Sequence, residues 1–291
     1  MNDDVLERIR TLSFDRNALY RHAERTGSGR GAIEKDLVIS IVLAIISDSP
    51  EFSWCSDKLI FRGGTCIKKV FYPDETRFSE DIDLMGLNIE EAGLFMRSVN
   101  KLVGMNLGVT SFDSTEVQYS NERGLDFMLY YTSVLQQKDH ISFNLSTAYP
   151  MERIQKRAVI VEPYLQINPS ILTLGIKEIL AEKTRALLQR RKPRDLFDVW
   201  FLIKNKDLEL DRSLLQKKLE RSYAAAPFSK KEEASSYVME DIISRIKSSV
   251  TDITWKNELG GLLMKPKPNR LVVVNEICNI LSSIGDINVR K

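Results

Sequence analysis

Apolar residues recur at helical spacing from the start of the chain. Val5, Leu6, Ile9, Leu12, Leu19 and Tyr20 predict one or two amphipathic helices between Asp3 and about Arg25, with a break around Ser13 to Asp15. Ile33, Leu37, Val38, Ile41, Val42, Ile45 and Ile46 predict a second helical stretch. The TGSGRG segment between them, Thr26 to Gly31, is read as a connection, because a glycine-rich dinucleotide loop needs a strand before it and none precedes this one. From Lys58 to Leu87 the pattern becomes strand, Gly-Gly turn, helix, connector and second strand. Leu59 and Phe61 alternate, Thr65 opens a helix through Cys66, Ile67, Val70 and Phe71, and Ile82 and Leu84 alternate with Asp81 and Asp83.

A helix over Glu90 to Val103 would turn Leu94, Phe95, Val99 and Leu102 inward. Then the period falls to two. Strands are expected around Val109 to Tyr119, Leu125 to Leu135, Asp139 to Ser146 and Ala158 to Leu165, between turn signals such as Asn121 to Gly124. Asn168-Pro169-Ser170 punctuates the chain, and the remaining residues have helical spacing. Ile179, Leu180, Thr184, Leu187 and Leu188 trace one stripe, and Pro193 opens a helix that buries Leu196, Phe197, Val199, Trp200 and Leu202. Further helices are expected at Ser213 to Tyr223, Lys231 to Val250 and Leu271 to Ile284, with Trp255, the LGGLL segment and Pro266 to Pro268 marking connections. The predicted architecture is α+β: residues 1–168 form a mixed sheet flanked by helices, and residues 169–291 form a C-terminal helical bundle.

Composition narrows the functional classes. A length of 291 residues suits one large or two ordinary domains, and 43% of the residues are hydrophobic and can build cores. A net charge of +2 from 42 basic and 40 acidic residues gives no global field for a polyanion, so nucleic acid would have to meet local patches. Three cysteines without C-x-x-C spacing and only two histidines argue against a zinc site or a disulfide framework. The N-terminus, MNDDVLERIR, carries charge from the start and no apolar run nears the roughly 20 residues that span a bilayer, so a cytoplasmic protein without a membrane partner is expected.

The candidate chemistry lies in the stretch from Lys58 to Leu87. Side chains two apart on a strand share a face, so Asp81 and Asp83 stand side by side. Paired carboxylates repel, and a site that keeps both ionised does so with a cation nearby. Hard oxygen ligands on a rigid strand suit Mg²⁺, which shares its sphere with water and substrate phosphates. Gly63 and Gly64 let the backbone approach such phosphates closely, and a helix start attracts anions. Thr65, Lys68 and Lys69 could add a hydroxyl and positive charge.

FRGGT followed by RFSEDIDL resembles the nucleotidyltransferase fold of the DNA polymerase beta type and, more narrowly, the AbiEii/AbiGii toxin family that includes the MenT toxins. The stretch LAEKTRALLQRRKPRDLFD is similar to that family's helical motif, in which a lysine precedes Arg-x-x-x-x-Asp-x-x-Asp. The resemblance covers Glu34 to about Leu202. It implies that Asp81 and Asp83 hold Mg²⁺ against a nucleoside triphosphate, and that Gly63, Gly64, Thr65, Arg77 and Ser79 approach the nucleotide. Lys183 is implied as the phosphate-binding lysine, Asp195 or Asp198 as a catalytic aspartate, and Lys35 as a supporting residue near the nucleotide. If the helices on either side of Pro193 were nearly continuous, Lys183, Arg190 and Arg194 would lie along one basic line suited to a triphosphate or an RNA backbone. As ordinary features, Asp195 and Asp198 would cap a helix start, and the basic residues would form a solvated face.

One departure stands out. Many nucleotidyltransferases carry a third carboxylate on a neighbouring strand, yet HISFNLS presents His140, Ser142, Asn144 and Ser146 opposite its core face. Either Asn144 or water replaces that ligand, or it comes from elsewhere. The implied activity is transfer of NMP from an NTP to the 3′ end of tRNA, so that the tRNA cannot be aminoacylated. The implied partner is a separately encoded antitoxin, protein or RNA. The same chemistry on a protein or small molecule, or a noncatalytic binding module on this fold, are the alternatives.

Overall fold

The computed structural model describes residues 4–12, 15–227, 229 and 235–289. Asp3, Ser13 and the start of the helix expected from Lys231 lie outside the described residues. The chain forms two compact units, Met1–Gly175 with Leu262–Lys265, and Ile176–Gly261 with Pro266–Lys291.

The first unit opens with α1 (Asp4–Arg10) and α2 (Arg16–Thr26). The Asp15 carboxylate caps α2 by accepting from the Ala18 N–H at 2.7 Å, and Gly27 ends it at φ 69°. In α3 (Arg30–Asp48) every residue from Ile33 to Ile46 is buried, so this helix runs through the unit's interior and buries polar residues along with the apolar stripe. Next come β1 (Ile60–Arg62) and α4 (Gly63–Cys66), which continues as a π-helical turn over Ile67–Phe71. β2 (Asp81–Met85) follows, then α5 (Ile89–Asn100), begun by a capping box between Asn88 and Glu91. Phe95, Val99 and Leu102 are buried as expected, but Leu94 is 46% exposed, because it sits a helical step of about 100° away from the buried 92–95–99 stripe.

β3 (Ser111–Asn121), β4 (Gly124–Thr132), β5 (Lys138–Ser146), β6 (Gln155–Ala158) and β7 (Ser170–Thr173) complete a seven-stranded mixed sheet in the order β3-β4-β5-β2-β1-β7-β6. β2 runs parallel to β5 and antiparallel to β1, which runs parallel to β7. Ile82, Leu84, Phe127, Ile141, Phe143 and Leu145 form the core face, with the Phe127 and Phe143 rings stacked at 4.7 Å and Phe95 of α5 packed edge-on to Phe143.

Two sequence expectations change here. The strand expected over Ala158 to Leu165 is instead the end of β6 followed by a turn in which the Tyr164 and Leu165 N–H groups donate to the Val161 carbonyl; Val159, Val161, Tyr164 and Leu165 are buried without strand pairing. Beyond residue 168 the chain still belongs to the sheet, because β7 pairs with both β1 and β6, and the first unit therefore runs to Gly175.

The second unit comprises α6 (Ile176–Arg190), α7 (Pro193–Trp200) with a π-helical continuation over Phe201–Asn205, α8 (Arg212–Ala225), β8 (Ser236–Tyr237), α9 (Met239–Ser249), α10 (Asp252–Leu259), α11 (Arg270–Ile284) and β9 (Ile287–Asn288). Trp255, expected in a connection, lies within α10, and Ser236–Tyr237, expected in a helix, pairs with β9. Trp200 ties α7 to α11 by donating to Glu276 at 2.6 Å, and the buried Lys218 of α8 is held by Glu178 and Glu182 of α6 at 2.5 and 3.1 Å. Among the described residues, no helix is long and apolar enough to cross a membrane.

Candidate active site

Alternation along β2 sends Ile82 and Leu84 into the core and leaves Asp81 and Asp83 on the opposite, partly exposed face. Asp83 pairs in register with Arg62, the last residue of β1, and the chain turns into α4 at once through Gly63. Gly63 has φ 79°, and a Cβ on it would overlap the Asp83 carboxylate. Glycine is thus required twice, by backbone conformation and by the close approach of the acid. The turn is anchored from its other side by the Thr65 hydroxyl, which donates to the Asp81 carbonyl. Gly63, Gly64, Thr65, Asp81 and Asp83 therefore form one constellation in the first unit. Gly63→Ala is expected to lower turnover about 100-fold, the scale on which a displacement of roughly 1 Å disturbs a reacting geometry. Steady-state nucleotide incorporation measures it, and near-normal turnover would show that the close approach is dispensable.

An aspartate outside the β2 pair shares its face: Asp126 of β4, the strand beyond β5. Register pairs Asp83 with Asn144, Asn144 with Asp126 and Asp126 with Tyr119, so these residues and Arg62 form a single cross-strand row on one face. Burial and the Asp83 carboxylate push the Asp126 carboxyl above its ordinary range, while Arg62 opposes them. Asp126 is the residue that reading strand by strand passes over. The only signal for it was the alternation of Leu125, Phe127 and Leu129, which puts Asp126 on the outer face without saying which strand lies beside it.

The cations expected near the nucleotide are mostly engaged within the fold. Lys69 forms a buried ion pair with Asp36 at 2.7 Å and also donates to Ser40. Lys68 donates to the Pro73 carbonyl and lies over the Phe78 ring at 4.5 Å, and burial lowers its pKa to about 8. Neither lysine is directed toward the acid pair, because the helical turn that carries them faces the interior. Lys35 is also buried, 3.0 Å from Asp139 and 4.0 Å from Glu80, the neighbour of Asp81. Arg77 and Ser79 lie buried in the connector entering β2, where the Arg77 guanidinium donates to the Phe78 carbonyl at 3.0 Å.

In the second unit, Lys183, Arg190, Asp195 and Asp198 come together. Lys183 lies 2.8 Å from Asp198 and 3.8 Å from Asp195, both aspartates being almost wholly buried. Arg190 grips Asp195 through two hydrogen bonds of 2.5 and 2.8 Å. The helices that carry these groups are not continuous, since Arg191 at φ 51° redirects the chain before Pro193. Arg194 is drawn aside to Glu258 at 3.8 Å. The expected basic line is instead a compact network of two cations and two acids.

A family model described as nucleotidyl transferase AbiEii toxin, type IV toxin–antitoxin system, matches residues 51–273. The chain belongs to this family of toxins. No match was found among curated proteins. In fold, it is similar to the MenT4 nucleotidyltransferase toxin from Mycobacterium tuberculosis, at 17% identity and a TM-score of 0.71 over 92% of this chain and 89% of that one. It is also similar to JHP933 from Helicobacter pylori, at 17% identity and a TM-score of 0.52 over 87% of this chain and 91% of that one. This AbiEii enzyme is accordingly a nucleotidyltransferase that consumes a nucleoside triphosphate, and its system includes a cognate antitoxin.

The donors on β2 fit the divalent cation that such toxins generally use. Asp81 and Asp83 offer hard oxygen ligands from a rigid strand, and the glycine turn keeps the Asp83 carboxylate unobstructed by a side chain. Mg²⁺ is commonly held by one or two carboxylates, with water and substrate phosphates completing its octahedron. Among the described residues, no third Asp, Glu, His or Cys joins them in a metal-sized group.

Proposed function

We propose that this toxin transfers a nucleoside monophosphate from an NTP to the 3′ end of tRNA in a Mg²⁺-dependent reaction, so that the extended tRNA can no longer be aminoacylated. The observation that carries this reading is the packing of the Asp83 carboxylate against Gly63, beside Asp81 on the same strand face. Asp81 and Asp83 would hold the metal, which supplies charge neutralisation at the phosphates and a lowered hydroxyl pKa. The Gly63-Gly64-Thr65 backbone accommodates the triphosphate. The acceptor hydroxyl attacks the α-phosphorus in line: its O–P bond forms as the P–O bond to pyrophosphate breaks, and the hydroxyl's proton passes to solvent or a nearby base. Positioning and electrostatics account for most of the acceleration.

Within the second unit, this reading gives each member of the Lys183 network its own task. Lys183 neutralises phosphate charge, Asp198 at 2.8 Å holds its ammonium in place, and Asp195 holds Arg190. The two aspartates are thereby given different roles. Asp198→Asn is expected to lower kcat at least about 10-fold, as positioning of a charge-stabilising group predicts. Asp195→Asn is expected to lower stability by about 1.5–3 kcal/mol through its bidentate arginine bonds. Parallel kinetics and urea unfolding separate them, and interchanged or identical effects would overturn the assignment.

The tRNA acceptor is the one implied by likeness to MenT-type toxins. Each of four α-phosphate-labelled NTPs, supplied with Mg²⁺ and total tRNA, tests it by whether label appears at tRNA 3′ ends and disappears in Asp83→Ala. Label on protein or a small molecule instead would overturn the acceptor; equal label with both proteins would overturn the site.

A further inference from the structure

The cross-strand row through the acids has an aromatic end. Arg62, Asp83, Asn144 and Asp126 lead in register to Tyr119 on β3, all on one face. Strands in a sheet lie about 4.8 Å apart, so Tyr119 stands three strand steps, on the order of 14 Å, from Asp83. Its side chain is 54% exposed, although it lies in the ordered hairpin, where Asn121 donates to its hydroxyl. A depression of about 210 Å³ occupies this part of the face, lined by Arg62, Tyr119, Arg123, Asp126, Asn144 and Ser146 among others. Arg123 sits on a fixed turn: its N–H donates to Asn121 at 2.9 Å, and its carbonyl accepts from the Thr147 N–H at 3.0 Å.

We propose that this depression receives the 3′-terminal nucleotide of a single-stranded RNA acceptor, its base stacked on Tyr119, its phosphate beside Arg123 and its terminal hydroxyl directed toward Asp83. Three features converge on that ligand. An exposed aromatic ring stacks any base, because every base has a π-face. An arginine on the same rim neutralises backbone phosphate. The polar row from Asp126 to Asp83 leads from the ring toward the reacting centre. A cavity of this size is below the roughly 300–1,000 Å³ typical of sites for drug-sized ligands, which suits a single nucleoside rather than a folded surface. Tyr119 and Arg123 are then acceptor-positioning residues.

This inference rests on the reading that the acceptor is RNA, and the test separates the two. With NTP, Mg²⁺ and varied tRNA, Tyr119→Ala is expected to raise the KM for tRNA about 5- to 100-fold, the loss of one base–aromatic stack, with the KM for NTP unchanged. Tyr119→Trp restores the wild-type value, and Arg123→Ala reduces the salt dependence of the tRNA KM. If wild type labels tRNA and Tyr119→Ala keeps its tRNA KM, the platform is overturned while the proposed function stands. If wild type labels no RNA, the proposed function fails and the platform falls with it. Anisotropy of a 5′-fluorescein single-stranded RNA octamer gives a readout independent of turnover: weaker binding by Tyr119→Ala supports the platform, and equal binding overturns it.

Discussion

Asp83→Ala is expected to reduce nucleotide incorporation by at least about 10²–10³-fold, the loss seen when one preorganised electrostatic contact to a transition state is removed. Stability should change little. Asp83 lies on the partly exposed face of β2, where alanine leaves no core cavity, and removing one of two neighbouring carboxylates relieves repulsion. The same relief should appear at Asp126, whose carboxyl is held up in part by Asp83. Its pKa is therefore expected to fall in the variant, measurable from the carboxyl carbon shift by NMR titration. Full activity in Asp83→Ala would remove the assignment of β2 as the reaction centre. Lost activity with lost thermal stability would reassign Asp83 to structure.

Lys69→Met should have the largest effect on stability, about 3–5 kcal/mol, the cost of stranding one member of a buried ion pair. The Lys69 side chain is 2% exposed and its ammonium sits 2.7 Å from Asp36, which is itself 5% exposed. Burial lowers the Lys69 pKa and Asp36 opposes that shift. Methionine fills a similar volume, so the expected loss comes from the uncompensated Asp36 charge rather than from a cavity. Asp36→Leu combined with Lys69→Met should recover most of the stability, since paired buried charges contribute little net once both are gone. Urea midpoints of the single and double variants measure this. A single variant within about 1 kcal/mol of wild type would mean that Asp36 readily protonates or finds water.

How much of the fold and site is legible in the residues alone varies with the range of the interaction. Alternation of Asp81, Ile82, Asp83 and Leu84 placed both acids on one face, because strand period is a local property. Gly63-Gly64 was legible as a sharp turn, which the φ of 79° at Gly63 shows, while the carboxylate of Asp83 packed against it depends on the pairing of β1 with β2. Lys183 with the Asp195/Asp198 pair was legible as a motif, though not as a network. Reading the two helices as continuous suggested a basic line, whereas Arg191 breaks them and the cations settle on the nearest acids. Asp126 was missed because its relevance depends on β4 lying beside β5. The chain from Ala158 to Leu165 misled because burying apolar residues does not require a strand.

The sequence by itself determined the elements that carry the chemistry and the face each acid occupies, since periodicity, glycine conformation and proline punctuation act over a few residues. The tertiary structure decided which charges neutralise one another and which strands are neighbours. It turned Lys68 and Lys69 inward, enclosed Lys183 between two aspartates, and extended the acidic row to Asp126 and Tyr119. The physical reason is that a buried charge must find a partner wherever the fold provides one, and strand order is set by packing between segments far apart in the chain.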